Sequence, residues 1–300
     1  MEKLTISFNK FYKLFNLISI LLVLISISFL TFKGLNYGVD FKGGTLIELR
    51  DQDNKVTISE LRESLLNMNL GDVSVKQFGN ENDYLVKFEK KNSSNPNLIN
   101  EIKENLNKSL GTDLDFRRVE NVGPKVSAEL LKSGIIAIVL SLVAMLIYIW
   151  VRFEWQFSLG AIIALFHDVV ITLGIFSIFN LEINLSIVAA VLTIVGYSMN
   201  DTVVIFDRVR ENLKKLSDIK IFELTNISIN ETLSRTIITS ITTLLALLSI
   251  YFFGGEILKG FSLAMILGVV FGTYSSIYIA NPILVLLKVS QRTILKEDKD

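Results

Sequence analysis

The chain has 300 residues, half of them hydrophobic, with 3 Pro, no Cys and a mean hydropathy of +0.48, a composition that points to a bilayer and not to a soluble globular domain. Its 30 Lys plus Arg balance 30 Asp plus Glu, which leaves no global basic field for nucleic acid, and the lack of cysteine excludes a disulfide framework, thiolate chemistry and a Cys-based metal site. Charge is unevenly placed: 15 basic and 16 acidic residues fall between Lys33 and Lys132, so the rest is strongly apolar.

About 20 helical residues cross a hydrocarbon core, and six nearly charge-free runs meet that length. The first is Leu14–Phe32, after a short polar start at residues 1–13. Lys3, Lys10 and Lys13 before it give it the look of a secretory signal. No small-x-small cleavage site follows, so a retained helix is expected.

Residues 33–132 come next and carry their own periodicities. Alternating or β-branched runs predict strands over Val39–Leu49, Asp72–Phe78, Tyr84–Phe88 and Leu114–Val119. Helical spacing predicts helices over Thr57–Met68, starting near Ser59, and over Pro96–Leu110, with Leu98, Ile102, Leu106 and Leu110 on one face. A hairpin turn fits Gly79–Asp83. The order βαββαβ is that of a small α+β ferredoxin-like domain. It holds no His and no nucleophile paired with a base, and its Gly43-Gly44 doublet stands alone, which does not make a phosphate loop.

The five remaining runs occupy residues 133–287: Ser133–Val151, Trp155–Leu181, Ile183–Asn200, Thr236–Gly255 and Gly260–Leu287. A connector spans residues 207–235, in which Ile219, Phe222, Ile229 and Leu233 suggest an amphipathic helix lying along the membrane surface. Residues 288–300 form a polar tail. Pro282 predicts a kink or an end in the last run. Gly268 and Gly272, four apart, mark a close-packing helix face, as Gly160, Ala161 and Ala164 do in the third run.

Orientation follows from Lys and Arg in the short flanks. With the N-terminus inside, the inner side holds fourteen of them and the outer short loops only Lys259. Both termini are therefore expected in the cytoplasm and residues 33–132 outside it.

Ionised groups at mid-bilayer cost about 2.5 to 3.5 kcal/mol on insertion scales, so they normally face a protein interior or a wet cavity. Asp201 follows directly on the fourth run, which continues apolar beyond it to Phe206, and its chemistry suits either a helix clamp or a proton carrier, because burial and a nearby cation push a carboxyl in opposite directions. Arg235, at the entrance of the fifth run, is the expected cation and stays protonated. His167 and Asp168 sit midway along the third run. Successive residues point about 100° apart on a helix, so these two are expected to serve different surfaces. With Asn200 they are candidates for proton relay or for helix packing. Asp207 and Arg208 read as an ordinary ion-paired helix end.

Five blocks carry a resemblance: YGVDFKGGTLIEL from Tyr37, VGPKVSAELLKSG, YIWVRFEWQFSLGAIIALFHDVVITLG, VGYSMNDTVVIFDRVREN and SINETLSRTIITSITTLL. In combination they resemble the SecD/SecF family of the bacterial protein-export machinery, in its smaller subunit type, over most of the chain. The resemblance implies membership of the resistance-nodulation-division superfamily, in which two six-helix bundles pair and do proton-coupled work, and it places proton passage in the motifs NDTVV and LSRT, here at Asp201 and Arg235. It implies SecD as the paired subunit, the SecYEG channel, often YajC, and SecA as the motor acting earlier on the exported polypeptide. No cofactor is expected beyond the coupling ion, H⁺ or Na⁺, and no enzyme activity. Half of a small-molecule or lipid exporter, a passive assembly scaffold and, more weakly, an intramembrane protease using Asp168 and Asp201 remain as alternatives.

Overall fold

The computed structural model describes residues 6–53, 55–71, 73–77, 82–88, 97–216 and 219–295. They fall into two compact units, one of Met1–Asn36 with Ile136–Asp300 and one of Tyr37–Ile135. The predicted turn at 79–81, Asp72, Phe78, Pro96 and the tail beyond residue 295 lie outside the described residues.

Among the described residues, six helices are long and apolar enough to cross a membrane. They are α1 (Tyr12–Phe32, after a 3-10 turn at Phe8–Phe11), α5 (Pro124–Arg152), α6 (Trp155–Ile178), α7 (Leu185–Lys215), α8 (Ile221–Phe253) and a last span that starts as α9 (Glu256–Ser275). The last span passes through a π turn at Ser276–Ala280 and resumes as α10 (Asn281–Leu286). Pro282 explains the break, since its nitrogen cannot donate to the preceding turn and its ring crowds the carbonyl four residues back. The Asn281 side chain donates to the Ser276 carbonyl at 2.7 Å and satisfies part of what the wider turn frees.

The connector differs from its prediction. Residues 207–215 continue α7 and residues 221–235 begin α8, so no separate helix lies along the surface. Neither stretch contains Gly or Pro, and propagation of a helix already formed costs less than breaking and restarting it. The apolar residues of the connector serve the bundle: Leu224 and Ile229 are buried in its core. Asn226 and Asn230, one turn apart on α8, hold the N-terminal segment by accepting from the backbone N–H of Phe8 and Ile6, each at 2.8 Å.

α6 and α7 form the middle of this unit, while α1 and α8 expose broad faces of Leu, Ile and Phe. A chain whose outer helices are greasy and whose inner helices carry the polar groups has the inside-out logic of a bilayer protein. The packing of α1 on the bundle is narrow: along α1 only Tyr12, Ser19 and Ser26 are buried, seven residues apart. Ser26 meets Gly174 of α6, where a Cβ would stand 2.3 Å from the Ser26 Cβ. Near the same end, Ser177 donates to the carbonyls of Phe29 and Gly34 at 3.1 and 2.6 Å.

The second unit is an antiparallel sheet of β1 (Gly44–Asp51), β2 (Val73–Gln77), β3 (Asp83–Phe88) and β4 (Leu114–Val122), in the order β2-β3-β1-β4. Ile47, Leu49, Val75 and Val86 of one face bury against Leu61 and Leu65 of α3 (Ile58–Leu66) and Ile102 and Leu106 of α4 (Leu98–Leu110). α3 starts two residues earlier than Ser59 would set it. Thr57 is the cap, accepting from the Glu60 N–H while the Glu60 carboxylate accepts from the Thr57 N–H, a reciprocal pairing that satisfies two orphan donors.

The first predicted strand is also shorter. Val39–Lys42 form a single helical turn, α2, and β1 begins only at Gly44. Val39 and Phe41 are both buried, so the alternation read there as a strand is the inward face of a turn. Gly43, at φ +80°, ends that turn, and a Cβ on it would come 3.1 Å from Ser127 Oγ and 3.3 Å from the Val122 carbonyl oxygen. The doublet is thus a backbone requirement at the place where β4 leads into α5.

Lys87 stands on β3, opposite Leu46 and Ser74. Burial and the nearby Lys76 lower its pKa to about 8, against the opposing pull of Asp40 and Glu120. An unfolded lysine titrates near 10.4, so between about pH 8 and that value the unfolded chain holds a proton that the folded unit has released. Stability of this unit therefore rises as pH climbs through that window and is lost again as pH falls through 8. Competitive acetylation followed by mass spectrometry is expected to give Lys87 a midpoint near pH 8, with exposed lysines near 10.4.

Candidate functional site

The apolar middle of the bundle contains two buried carboxylates, Asp168 on α6 and Asp201 on α7, at 0% and 2% exposure. Asp168 is the better held. Its Oδ2 accepts from Ser198 Oγ of α7 at 2.6 Å and from Ser275 Oγ of α9 at 2.7 Å, and its Oδ1 lies 2.8 Å from His167 Nδ1. One side chain thereby ties three helices together. His167 is itself 3% exposed and stacks on the Tyr274 ring of α9 with centroids 5.9 Å apart. The Tyr274 hydroxyl donates to the Phe15 carbonyl at 2.8 Å and pairs with Ser19 Oγ at 2.7 Å, carrying the cluster onto α1.

The two residues expected to face different surfaces are thus joined. A 100° separation at the helix surface is spanned by the imidazole, which reaches sideways from its own turn to its neighbour's carboxylate. Their bond is a local one, and what it serves is the junction of α6, α7 and α9.

Asp201 is placed differently. Thr273 Oγ1 of α9 donates to its Oδ2 at 3.2 Å, and Thr273 pairs in turn with Ser240 Oγ of α8 at 2.7 Å. Arg235 acts on Asp201 through space but is an exposed residue of α8 and makes no ion pair with it. The direct partner of this carboxylate is a hydroxyl. Asn200 points to the exposed side of α7 and is not brought to either carboxylate. Residues two apart on a helix point about 200° apart, and α9 uses this: Thr273 faces α7 and α8, Ser275 faces α6 and α7.

The close approach that makes these bonds short comes from glycine. Gly268 and Gly272 of α9 both face α7, where a Cβ would come 2.2 Å from Ile194 Cγ1 and 3.0 Å from Ser198 Cβ respectively. A methyl group at position 272 would push away the very serine that bonds Asp168. Gly160 of α6 lies similarly against the Ala280 carbonyl oxygen of the π turn, 2.9 Å from a Cβ built there.

At the far end of α7 the charges pair conventionally. Arg152 meets Asp207 at 2.9 Å, Arg210 meets the buried Glu154 at 2.9 Å, and Arg208 meets Glu231 at 2.7 Å. Among the described residues, no cluster of three or more His, Asp or Glu side chains could hold a metal ion. Sequence reasoning missed Ser198, Ser240, Thr273, Tyr274 and Ser275. Ser and Thr are ordinary in membrane helices, and only their register against a carboxylate on another helix marks them.

Comparison with known proteins places this arrangement. Residues 102–290 match the family model described as protein export membrane protein SecD/SecF, C-terminal, and residues 28–50 match the SecD/SecF GG motif. The chain belongs to the SecD/SecF family and is a multi-pass membrane protein. Over 288 residues it is 46% identical to the protein translocase subunit SecF of Rickettsia bellii, covering 95% of this chain and 94% of that one. It is 45% identical to SecF of Rickettsia prowazekii over 95% of this chain and 92% of that protein. Among solved structures, the crystal structure of SecDF from Thermus thermophilus matches with a TM-score of 0.84 and 36% identity over 95% of this chain, and SecDF in its super-membrane-facing form with 0.70 and 35% over 99%. The chain spans about two fifths of those SecDF chains, 39% and 40%. The GG motif match includes Gly43 and Gly44, the doublet whose backbone role is described above.

Proposed function

We propose that this chain is the SecF-type subunit of a Sec translocase, working with a SecD-type partner in a bacterial plasma membrane to draw exported polypeptide outward at the expense of the proton-motive force. The observation that carries the reading is Asp201: a carboxylate buried to 2% exposure in the bundle of a SecD/SecF-family chain, with a hydroxyl as its direct partner and, among the described residues, no neutralising ion pair. A group in that setting binds and releases a proton with large consequences for the packing around it.

In this reading both termini are cytoplasmic, as the fourteen-to-one division of basic residues requires, and the unit Tyr37–Ile135 is outside. That unit is of the ferredoxin-like kind, supported by its strand order β2-β3-β1-β4 and by two helices packed on one face of the sheet. SecYEG, often YajC, and the SecA motor are the expected associates, as the resemblance to the SecD/SecF family implies. When Asp201 is ionised it is drawn to Arg235, the fixed counter-charge on α8; when it is protonated that attraction ends and Thr273 is free to turn elsewhere. One charge crossing 100 mV supplies about 2.3 kcal/mol, enough to bias a packed two-state junction.

The test uses inverted membrane vesicles holding this chain with its SecD-type partner. Translocation driven by ATP is stopped midway, the ATP is removed, and a proton gradient is imposed. Asp201→Asn preserves shape and removes titration, and it is expected to abolish gradient-driven completion while the complex still assembles. Completion at the wild-type rate would refute Asp201 as carrier and favour a scaffold. Completion that follows a sodium gradient in place of a proton gradient would change the coupling ion and leave the site.

A further inference from the structure

We propose that His167 and Asp168 form a second proton-binding site, distinct from Asp201, in which the imidazole takes the proton at Nε2 and passes the one on Nδ1 to the Asp168 carboxylate. This deepens the reading of the protein as an ion-driven subunit and rests on it.

Two independent observations point to this pair. The first is the carboxylate: Asp168 is fully buried, and the groups bonded to it are two serine hydroxyls and one imidazole nitrogen. Among the described residues no Lys or Arg pairs with it, and a proton on itself or on His167 would neutralise its charge. The second is the other end of the imidazole. His167 Nε2 is buried and has no hydrogen-bond partner among the described residues. In every protonation state that nitrogen is either a donor lacking an acceptor or an acceptor lacking a donor, and a buried polar atom left in that condition costs about 1 to 3 kcal/mol. A water molecule there removes the cost and is at the same time a proton source.

The step balances without any further reactant. With Asp168 ionised, the ring holds its hydrogen on Nδ1 and donates it to Oδ1. A hydronium at Nε2 gives up its proton, a new N–H bond forms there, the Nδ1–H bond breaks, and an O–H bond forms on Asp168. Water is released. The pair goes from a charge of minus one to zero, the ring changes tautomer, and the Oδ2 that holds Ser198 and Ser275 becomes part of a neutral acid. Reversal returns the Asp168 proton to Nδ1 and releases the one on Nε2 to water.

The titratable groups around the pair are few. α9 contributes the Tyr274 phenol, stacked on the imidazole, and the π turn contributes Tyr278, whose ring lies 5.3 Å from that of Tyr274. α7 brings Ser198 and, three residues on, Asp201; α1 brings Ser19, whose hydroxyl is engaged by Tyr274. The device has a readable consequence for α9. Ser275 reports on Asp168 and Thr273 on Asp201, both directly before the π turn at Ser276–Ala280. Such wide turns inside helices recur at functional sites.

His167 is the only histidine in the chain, so nitrogen-15 histidine labelling of this subunit reports it alone. The labelled full chain is reconstituted with its unlabelled partner in bilayers, and the ring-nitrogen resonances are followed as pH is lowered. The expected result is a switch from the Nδ1–H to the Nε2–H pattern, lost in Asp168→Asn, where the ring stays Nδ1–H at every pH. A wild-type ring that keeps one tautomer throughout, or that titrates identically in Asp168→Asn, overturns the proposal. The decisive spectrum is that of the unaltered chain, so a variant that fails to assemble does not blunt the test. Vesicle translocation separates the two readings: a fixed tautomer beside gradient-driven completion overturns this site alone, whereas a switching tautomer without such completion leaves the site and overturns the motor.

Discussion

Gly174→Leu is expected to detach α1 from α6 and to leave a chain that is membrane-inserted but poorly folded. At this position even the Cβ of an alanine would lie 2.3 Å from Ser26 Cβ, 2.4 Å from Ser26 Oγ and 2.8 Å from Ser26 Cα. The last of these matters most, because a hydroxyl can rotate and a backbone atom cannot move without its helix. Ordinary overpacking in a core costs about 1 to 3 kcal/mol, and a core can share the strain among many neighbours. Here the packing is a stripe of three residues, Tyr12, Ser19 and Ser26, so the helix yields by leaving. Without a hydrophobic force between helices in lipid, close packing and a few hydrogen bonds are all that hold the pair. The loss therefore extends to Ser177 with the Phe29 carbonyl and to Tyr274 with Ser19 and the Phe15 carbonyl. Thermal unfolding in detergent is expected to rank wild type above Gly174→Ala above Gly174→Leu. Adding Ser26→Gly to Gly174→Ala is expected to recover part of the loss and not all of it, since the new methyl group still meets the backbone of residue 26 at 2.8 Å. Equal stability of wild type and Gly174→Leu would show that α1 is not held by this stripe.

The six spans were legible because desolvated charge is so costly that a bilayer helix must write its boundaries in Lys, Arg, Asp and Glu. The same rule singled out Asp168 and Asp201, and both are buried. It could not supply their partners. Ser198 and Ser275 are 77 positions apart in the chain and meet at one carboxylate only because Gly268 and Gly272 let α9 press against α7. Pairing rules singled out Arg235 as the cation for Asp201 without saying whether the two touch; in the structure the arginine stands exposed and a threonine bonds the carboxylate. A charge-charge expectation says which residues attract, and packing decides which ones touch. In the unit Tyr37–Ile135, alternation found the strands, yet Val39 and Phe41 alternate as well in a single helical turn. Two buried residues two apart fit a strand and a tight turn equally, and Gly43 at positive φ is what separates the cases. The connector failed for a related reason: an apolar stripe marks a buried helical face, but not whether that helix is a new one or the extension of a span.

Asp168→Ala is expected to destabilise the bundle by about 1 to 3 kcal/mol, and most of that loss is expected to sit in one hydrogen atom. Of the three groups bonded to Asp168, the two serines have an alternative. Ser275 Oγ already lies 3.2 Å from the Gly272 carbonyl oxygen on its own helix, and a serine can turn its hydroxyl toward the preceding turn at small cost. His167 has none, because its ring is clamped by Tyr274 and Phe271 and its Nδ1–H would be left buried without an acceptor. Removal of the carboxylate also relieves the cost of burying a charge, so the net effect is smaller than the sum of three lost bonds. Asp168→Asn keeps an oxygen at the same place and is expected to remain within about 1 kcal/mol of wild type. The double substitution His167→Phe with Asp168→Ala removes the orphaned donor and keeps a ring against Tyr274. It is expected to be more stable than Asp168→Ala alone, a coupling that a double-mutant cycle measures directly. Additive losses in that cycle would move the cost from the hydrogen bond to the packing, and would show that the carboxylate acts in the fold only as a filler between α6, α7 and α9.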